Sequence, residues 1–274
     1  MAYNILILDP AQYSVQLAGQ PYGSTLCLPL HSDNPKVDAW DKRIKAELYF
    51  NLGMFNMTGQ YKNRGITYVH TPTGDLGYGG ESNTLQLPGG YACKGYSNGI
   101  VNGRVSINAP TKPIGNRRTR NGIGITDRGH IIIAQCGHKV SEATFCNAVN
   151  DYVLARSQTV RLFVLEDGGG STAEYSSVSR LSFLPETGRP VTTIVCVSRK
   201  NPITITRPIY NGCKGEDCGA IQIIVGGIPV DNDYGPTSAR RVSAAQKALG
   251  FPAGLQCGIV SAYTAKKLGY KSTI

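Results

Sequence analysis

The chain has 274 residues, a formal net charge of +10 and 41% hydrophobic residues, with glycine and tyrosine abundant. That length gives one large domain or two unequal ones, either able to bury a sizeable core. The positive balance favours an anionic partner; because few aromatics alternate with Lys or Arg and basic residues cluster only at Arg117-Arg118-Thr119-Arg120, no nucleic acid is expected and an anionic polymer or surface ranks first.

In chain order, Tyr3 to Leu8 and Tyr13 to Leu17 read as strands joined through Asp9-Pro10, a turn signal. The N-terminal run lacks a basic leader and is too short for a signal peptide or a membrane span, so a product made in the cytoplasm without a signal peptide, and with no transmembrane segment, is expected. Pro21 to Asp38 is turn-rich, a polar helix is expected over Lys36 to Lys45, and an apolar strand follows from Ala46 to Asn51. Gly74 to Gly99, rich in Gly, Pro, Ser and Asn, reads as an extended surface segment bordering a site, with Asp75 and Glu81 as reserve acids or simply solvated loop carboxylates. Hairpins are expected over Ile100 to Ile107, turning at Asn102-Gly103, and over Ile123 to Ile133, turning at Asp127-Arg128-Gly129. Ser141 to Arg156 reads as a helix with Ser141 as N-cap and Phe145, Val149 and Val153 on one face.

The stretch Val160 to Tyr175 concentrates the chemistry. An apolar run, Val160 to Leu165, ends in Glu166-Asp167, three glycines, Ser171 and Thr172. A buried strand that stops there presents an acid at a sheet edge, beside backbone amides that no Cβ shields and two hydroxyls, which suits a sugar or a phosphate. A tight glycine turn after a core strand accounts for the same residues without a ligand. One more buried strand, Val191 to Val197, completes a mixed, mostly antiparallel β domain with a few helices, an α+β arrangement.

After Asn201-Pro202 the texture becomes helical and alanine-rich, and a boundary near 207 divides a first domain, 1–206, from a small three-helix domain, 207–274. Its helices are expected over Glu216 to Val225, Thr237 to Leu249 and Ser261 to Leu268. The eight cysteines show no paired ligand spacing, Cys213 and Cys218 coming nearest, and the four histidines are scattered, so reduced core cysteines and no metal site are expected.

Four separated pieces of the first domain, Asn51-Leu-Gly-Met-Phe55, Arg120-Asn-Gly-Ile-Gly124, Asp167-Gly-Gly-Gly-Ser171 and Arg189-Pro-Val-Thr-Thr193, together resemble the phosphodiester glycosidases, the family of the lysosomal uncovering enzyme that removes N-acetylglucosamine from a sugar phosphate. Leu52, Met54 and Thr193 depart from the family's usual Gly, Phe and Asn. In the second domain, Gly212 to Gln222, Val230-Asp-Asn-Asp-Tyr-Gly-Pro236 and Cys257 to Thr264 resemble a three-helix peptidoglycan-binding domain, with Ala245 where that module usually carries a bulky aromatic.

The resemblance implies hydrolysis of the bond between an anomeric carbon and a phosphate oxygen. A phosphodiester leaves as a stabilised anion, so charge neutralisation by an arginine fork matters more than proton donation. Asp167 is then the carboxylate facing the anomeric centre, Arg120 and Arg189 hold the phosphate, Asn51 holds sugar hydroxyls, and Gly168, Gly169 and Ser171 give backbone or hydroxyl contacts; no cofactor is called for. Each has a plainer account: Arg120 as a solvated strand residue, Arg189 paired with Glu186, Asn51 capping a strand end. The implied substrate is peptidoglycan or an anionic wall polymer such as a teichoic acid linkage, and a wall-binding module without a leader resembles phage lytic enzymes. The alternatives are a hydrolase of the peptidoglycan glycan strand and a non-catalytic cell-wall-binding or virion protein.

Overall fold

The structure, a computed structural model, describes residues 3–19, 44, 46–53, 55–56, 64–107, 118–183, 191–201 and 203–274. The helix expected over Lys36 to Lys45 lies outside them, as do Cys27 and Arg189. The fold is α+β with mostly antiparallel sheets.

The first sheet has six strands, β1 (Tyr3–Leu8), β11 (Ser97–Val101), β12 (Arg104–Val105), β13 (Arg118–Thr126), β14 (Ile131–Val140) and β15 (Val160–Glu166), in the order β1-β14-β13-β15-β11-β12, every pair antiparallel. Both expected hairpins are present, and Asn102 and Gly103, with φ of 49° and 72°, make the left-handed turn that joins β11 to β12. The second sheet has five strands, β2 (Tyr13–Gly19), β3 (Leu48–Asn51), β16 (Glu174–Ser176), β17 (Ser182–Phe183) and β18 (Thr193–Arg199), in the order β17-β16-β3-β18-β2, again antiparallel.

Strand alternation sorts the first sheet into two faces. Leu6, Leu8, Ile123, Ile125, Ile131, Ile133 and Val164 join Val15, Leu17, Leu48, Phe50, Val195 and Val197 of the second sheet in a shared core. On the opposite face, Ile5, Ile132, Phe163 and Leu165 pack against Phe145, Cys146, Val149 and Val153 of helix α1 (Glu142–Leu154), whose N-cap Ser141 accepts the Thr144 N–H as expected. The near-continuous apolar run of β15 is thus explained by burial on both faces. Gly122 and Gly124 make room beneath the Phe163 ring: a Cβ on Gly122 would stand 2.4 Å from it.

The segment Gly74 to Gly99 differs from expectation. It is not an extended surface segment: β7 (Gly74–Asp75), β8 (Gly77–Gly79), β9 (Leu85–Leu87) and β10 (Tyr91–Cys93) lie within it. With β6 (Val69–Thr71) they form a four-stranded sheet, β7-β6-β10-β9, while β8 joins β4 (Phe55–Asn56) and β5 (Arg64–Thr67). The reason is period-two burial of Leu85 and Leu87, and of Cys93, in the shared core, a short alternation that surrounding Gly and Pro obscure.

The C-terminal helices are α2 (Glu216–Val225), α3 (Pro236–Ala248) and α4 (Ala262–Lys267), as expected within a residue or two, and β19 (Thr204–Ile205) pairs in parallel with β20 (Lys271–Ser272). They have a core of their own, with Ile221, Ile224, Tyr234, Val242 and Leu268 fully buried. Two buried glutamines tie its loops: Gln222 Oε1 accepts the Asp231 and Asn232 N–H groups at 3.1 Å, and Gln246 Oε1 accepts the Gly258 N–H at 3.0 Å. This unit is welded to the sheets. Ile223 of α2 belongs to the shared core, Ser176 Oγ donates to Ile224 O at 2.7 Å, and Arg156 Nη2 and the Tyr152 hydroxyl both donate to Val230 O. No described helix is long and apolar enough to cross a membrane.

Candidate active site

The corner where β15 ends is built by hydrogen bonds among distant segments. Asn51 closes β3, and its side chain, 1% exposed, donates from Nδ2 to Asp167 O at 2.7 Å while Oδ1 accepts the Ala173 N–H at 3.0 Å and Gln135 Nε2 at 3.2 Å. The Asp167 N–H donates to Leu52 O at 3.1 Å, so both sides of the turn are held by β3. Asn121 Nδ2 donates to Asn51 O at 2.6 Å, and Leu52 N–H and Gly53 N–H donate to the backbone and hydroxyl oxygens of Thr193 at 3.1 and 2.9 Å.

The glycine turn is shaped by close approach. A Cβ on Gly168 would lie 2.4 Å from Thr119 O and 3.5 Å from Arg120 Cα, so only glycine lets the chain lie against β13 there. Gly169, at φ +61°, starts a single 3-10 turn ending at Ser171, and Thr119 Oγ1 donates to Gly169 O at 2.8 Å. Ser171 is fully buried, its N–H donating to Gly168 O at 3.3 Å.

Arg120 is 8% exposed, not a solvated strand residue. Its Nε donates to Val140 O at 3.2 Å, and Nη1 donates to Glu142 Oε1 at 3.0 Å and to the Tyr96 hydroxyl at 3.3 Å. Tyr96 donates in turn to Glu142 Oε1 at 3.0 Å, and burial together with the Glu142 charge raises its hydroxyl well above the ordinary range. Arg120 pairs across the strands with Cys136, on the α1 side of the sheet; its neighbour Asn121 pairs with Gln135 and Glu166, on the side facing the shared core. Asn4, Gln135, Asn121 and Glu166 therefore form one polar row across four strands, all buried.

Glu166 turns inward and is 1% exposed, with no hydrogen-bond partner of ordinary geometry for either carboxyl oxygen among the described residues. Burial, reinforced by the Asp167 charge, pushes its carboxyl well above the usual range, and the Cys93 thiol beside it offsets only part of this. The same burial and the nearby Glu166 raise the Cys93 thiol. Asp167 itself is half-buried at the start of the turn.

The structure thus brings Asn51, Arg120, Asp167, Gly168, Gly169 and Ser171 into one corner. Tyr96, Glu142, Asn121 and Gln135, which hold or flank them, were not singled out from sequence, and Glu166 was read only with Asp167 as an acid at the strand end; the polar run Arg118-Thr-Arg-Asn121 ahead of the Ile and Gly half of β13 was the available signal. Among the described residues no group of three or more His, Cys, Asp or Glu side chains is placed to hold a metal ion.

The sequence matches no family model and no curated protein. Several solved structures are similar in chain path, among them the following two. One is the zebrafish N-acetylglucosamine-1-phosphodiester alpha-N-acetylglucosaminidase catalytic domain auto-inhibited by its pro-peptide, at 17% identity and a TM-score of 0.48, with 72% of this chain and 82% of that one covered. The other is a hypothetical protein from Synechocystis, at 13% identity and a TM-score of 0.47, with 71% of this chain and 58% of that one covered. Both likenesses are remote.

Proposed function

We propose that the chain is a hydrolase that cleaves a bond between a sugar anomeric carbon and a phosphodiester, with the Asp167 corner as its active site. The observation that supports this is the mutual hydrogen bonding of motif segments far apart in sequence: Asn51 holds Asp167, Leu52 and Gly53 hold on to Thr193, and Gly168 is seated on Thr119 and Arg120. In this scheme Asp167 accepts a proton from water as it attacks the anomeric carbon, or stabilises the oxocarbenium-like transition state. The C–O bond to phosphorus breaks on the sugar side and the phosphomonoester leaves with that oxygen, its growing charge met by Arg120 and Arg189. Arg120 suits a preorganised role because three partners fix its guanidinium. Asn51 acts chiefly as the clamp that sets the Asp167 backbone, and the amides and hydroxyl of Gly168, Gly169 and Ser171 border the sugar.

The proposal extends to location: the helical unit holds the protein on peptidoglycan, and the substrate is a sugar-1-phosphate linkage of an anionic wall polymer. A non-catalytic wall-binding or virion protein is the second reading, favoured by the ion pair that already engages Arg120 and by the internal bonds that occupy Asn51 Oδ1. Incubating the purified protein with a panel of sugar-1-phosphodiesters, and with wall sacculi followed by sedimentation, separates them. Released sugar or phosphate supports the hydrolase; co-sedimentation without release supports the second reading.

A further inference from the structure

A cleft of about 740 Å3 lies between the ends of the two large sheets and the helical unit, and Asp167 is not among its lining residues. Its volume is that of a small-ligand site. On the sheet side it is lined by the turn after β1, by the end of β18 and by the segment that closes α1, which contribute Arg199, Arg156 and Gln158; on the helical side the first turn of α2 contributes Glu216 and Asp217. Charge is therefore segregated in the lining, with guanidinium groups on one wall and carboxylates on the other; Asp217 is already paired with Arg207 at 2.7 Å, which leaves Glu216 as the acid of the helical wall, and Asp9 on the sheet side accepts the Ala11 N–H at 2.8 Å.

Two groups on the sheet wall lack partners that burial demands. The Arg199 side chain is 7% exposed, gripped through Nε by Glu47 at 3.0 Å and lying 4.2 Å over the Tyr270 ring, yet its buried Nη1 has no hydrogen-bond partner among the described residues. Gln158 Oε1, also buried, has none either. A buried donor on a cation and a buried amide acceptor each cost free energy until something bonds them. The end of a peptide supplies both complements within a few ångströms, a carboxylate to accept from Arg199 and the preceding N–H to donate to Gln158. A neutral glycan carries no charge for either wall, and a polyanion would meet Asp9 and Glu216.

We propose that this cleft binds a short peptide, with its free C-terminal carboxylate at Arg199, the preceding peptide N–H at Gln158 and its N-terminal ammonium toward Glu216. The inference is independent of the hydrolase proposal, since it is read by binding alone. The test is calorimetric titration of the full chain with tri-alanine, its C-terminal amide, its N-acetyl form and a neutral N-acetylglucosamine trimer. Tri-alanine should bind at millimolar concentration or below, and the amide about tenfold more weakly, the effect of one lost charge-assisted bond. Because Arg199 also packs the fold, the variants are Gln158→Ala and Glu216→Gln. The first should weaken tri-alanine; the second should remove the preference for tri-alanine over its acetylated form while leaving the unfolding midpoint unchanged. Equal binding of acid and amide, no heat with tri-alanine, or binding of the trisaccharide alone would overturn the proposal, as would an unaltered preference in Glu216→Gln.

Discussion

Glu166 and Asp167 are adjacent in sequence and placed in opposite surroundings. Glu166 faces the core between the sheets, where burial raises its carboxyl well above the usual range, while Asp167 stands half-buried at the turn, so the different surroundings of the two carboxyls are set by strand alternation. Replacing Asp167 by Asn, which keeps its shape, should lower turnover on a sugar-1-phosphodiester by about 10²–10⁴-fold with an unchanged unfolding midpoint. Near-normal turnover would remove Asp167 from the mechanism. Glu174 is the second buried acid: burial pushes its carboxyl up to about 7, with Arg241, the Gly227 N–H and Asn4 holding it below where burial alone would set it. Both folded-state values exceed the unfolded one, so both groups contribute stability that is complete below about pH 4.5 and is lost as pH rises through the folded-state value. For Glu174 that loss falls between about pH 4.5 and 7 and amounts to ~3 kcal/mol. Urea unfolding of the wild type at several pH values should show stability falling across this window, and Glu174→Gln should flatten the profile. A profile that rises with pH would contradict the placement.

At the scale of elements, β13 is the part of the fold most constrained by its neighbours. Its Gly-x-Gly alternation presents a hollow to Phe163 on one face while Ile123 and Ile125 fill the shared core on the other. Gly122→Ala would drive a methyl into the Phe163 ring and to 2.7 Å from Val164 O, and should destabilise by about 1–3 kcal/mol. Combined with Phe163→Leu, the cost should be less than the sum of the single changes, because the two act on one contact. Denaturant titration of the three variants checks this; strict additivity would mean that the ring does not set the limit. The turn after β15 is bound to the same strand, which is why a structural glycine pattern and the candidate site occupy neighbouring positions.

At the scale of the whole molecule, the helical unit is not an appendage. Glu174 of β16 accepts the Gly227 N–H at 3.1 Å, Arg241 Nη2 donates to Ser182 O of β17 at 3.5 Å, and Arg199 of β18 lies over Tyr270. α2 contributes to two cores at once, Ile223 to the sheets and Ile221 and Ile224 to the helices. Calorimetry should therefore show one unfolding transition for the full chain. Two well-separated transitions would show that the units are thermodynamically independent and that the contacts between them are weak.

Periodicity was enough to locate the longer strands and every described α-helix, because each buries a face whose spacing is written locally: the Phe145, Val149 and Val153 stripe, the Asn102-Gly103 turn, the apolar run of β15. It failed for β5 to β10, whose runs of two to four residues are too short to outweigh the glycine and proline around them, and for the short strands β16, β17, β19 and β20. The acids and the glycine turn of the candidate site were legible for the same local reason. What only tertiary structure decided is how those residues are employed: that Arg120 meets Glu142 and Tyr96, that Asn51 clamps the Asp167 backbone, that Glu166 is buried, and that a cleft opens beside Arg199. Each depends on partners tens to more than a hundred residues away, brought together by strand order and register, and neither order nor register is encoded in any single stretch of the chain.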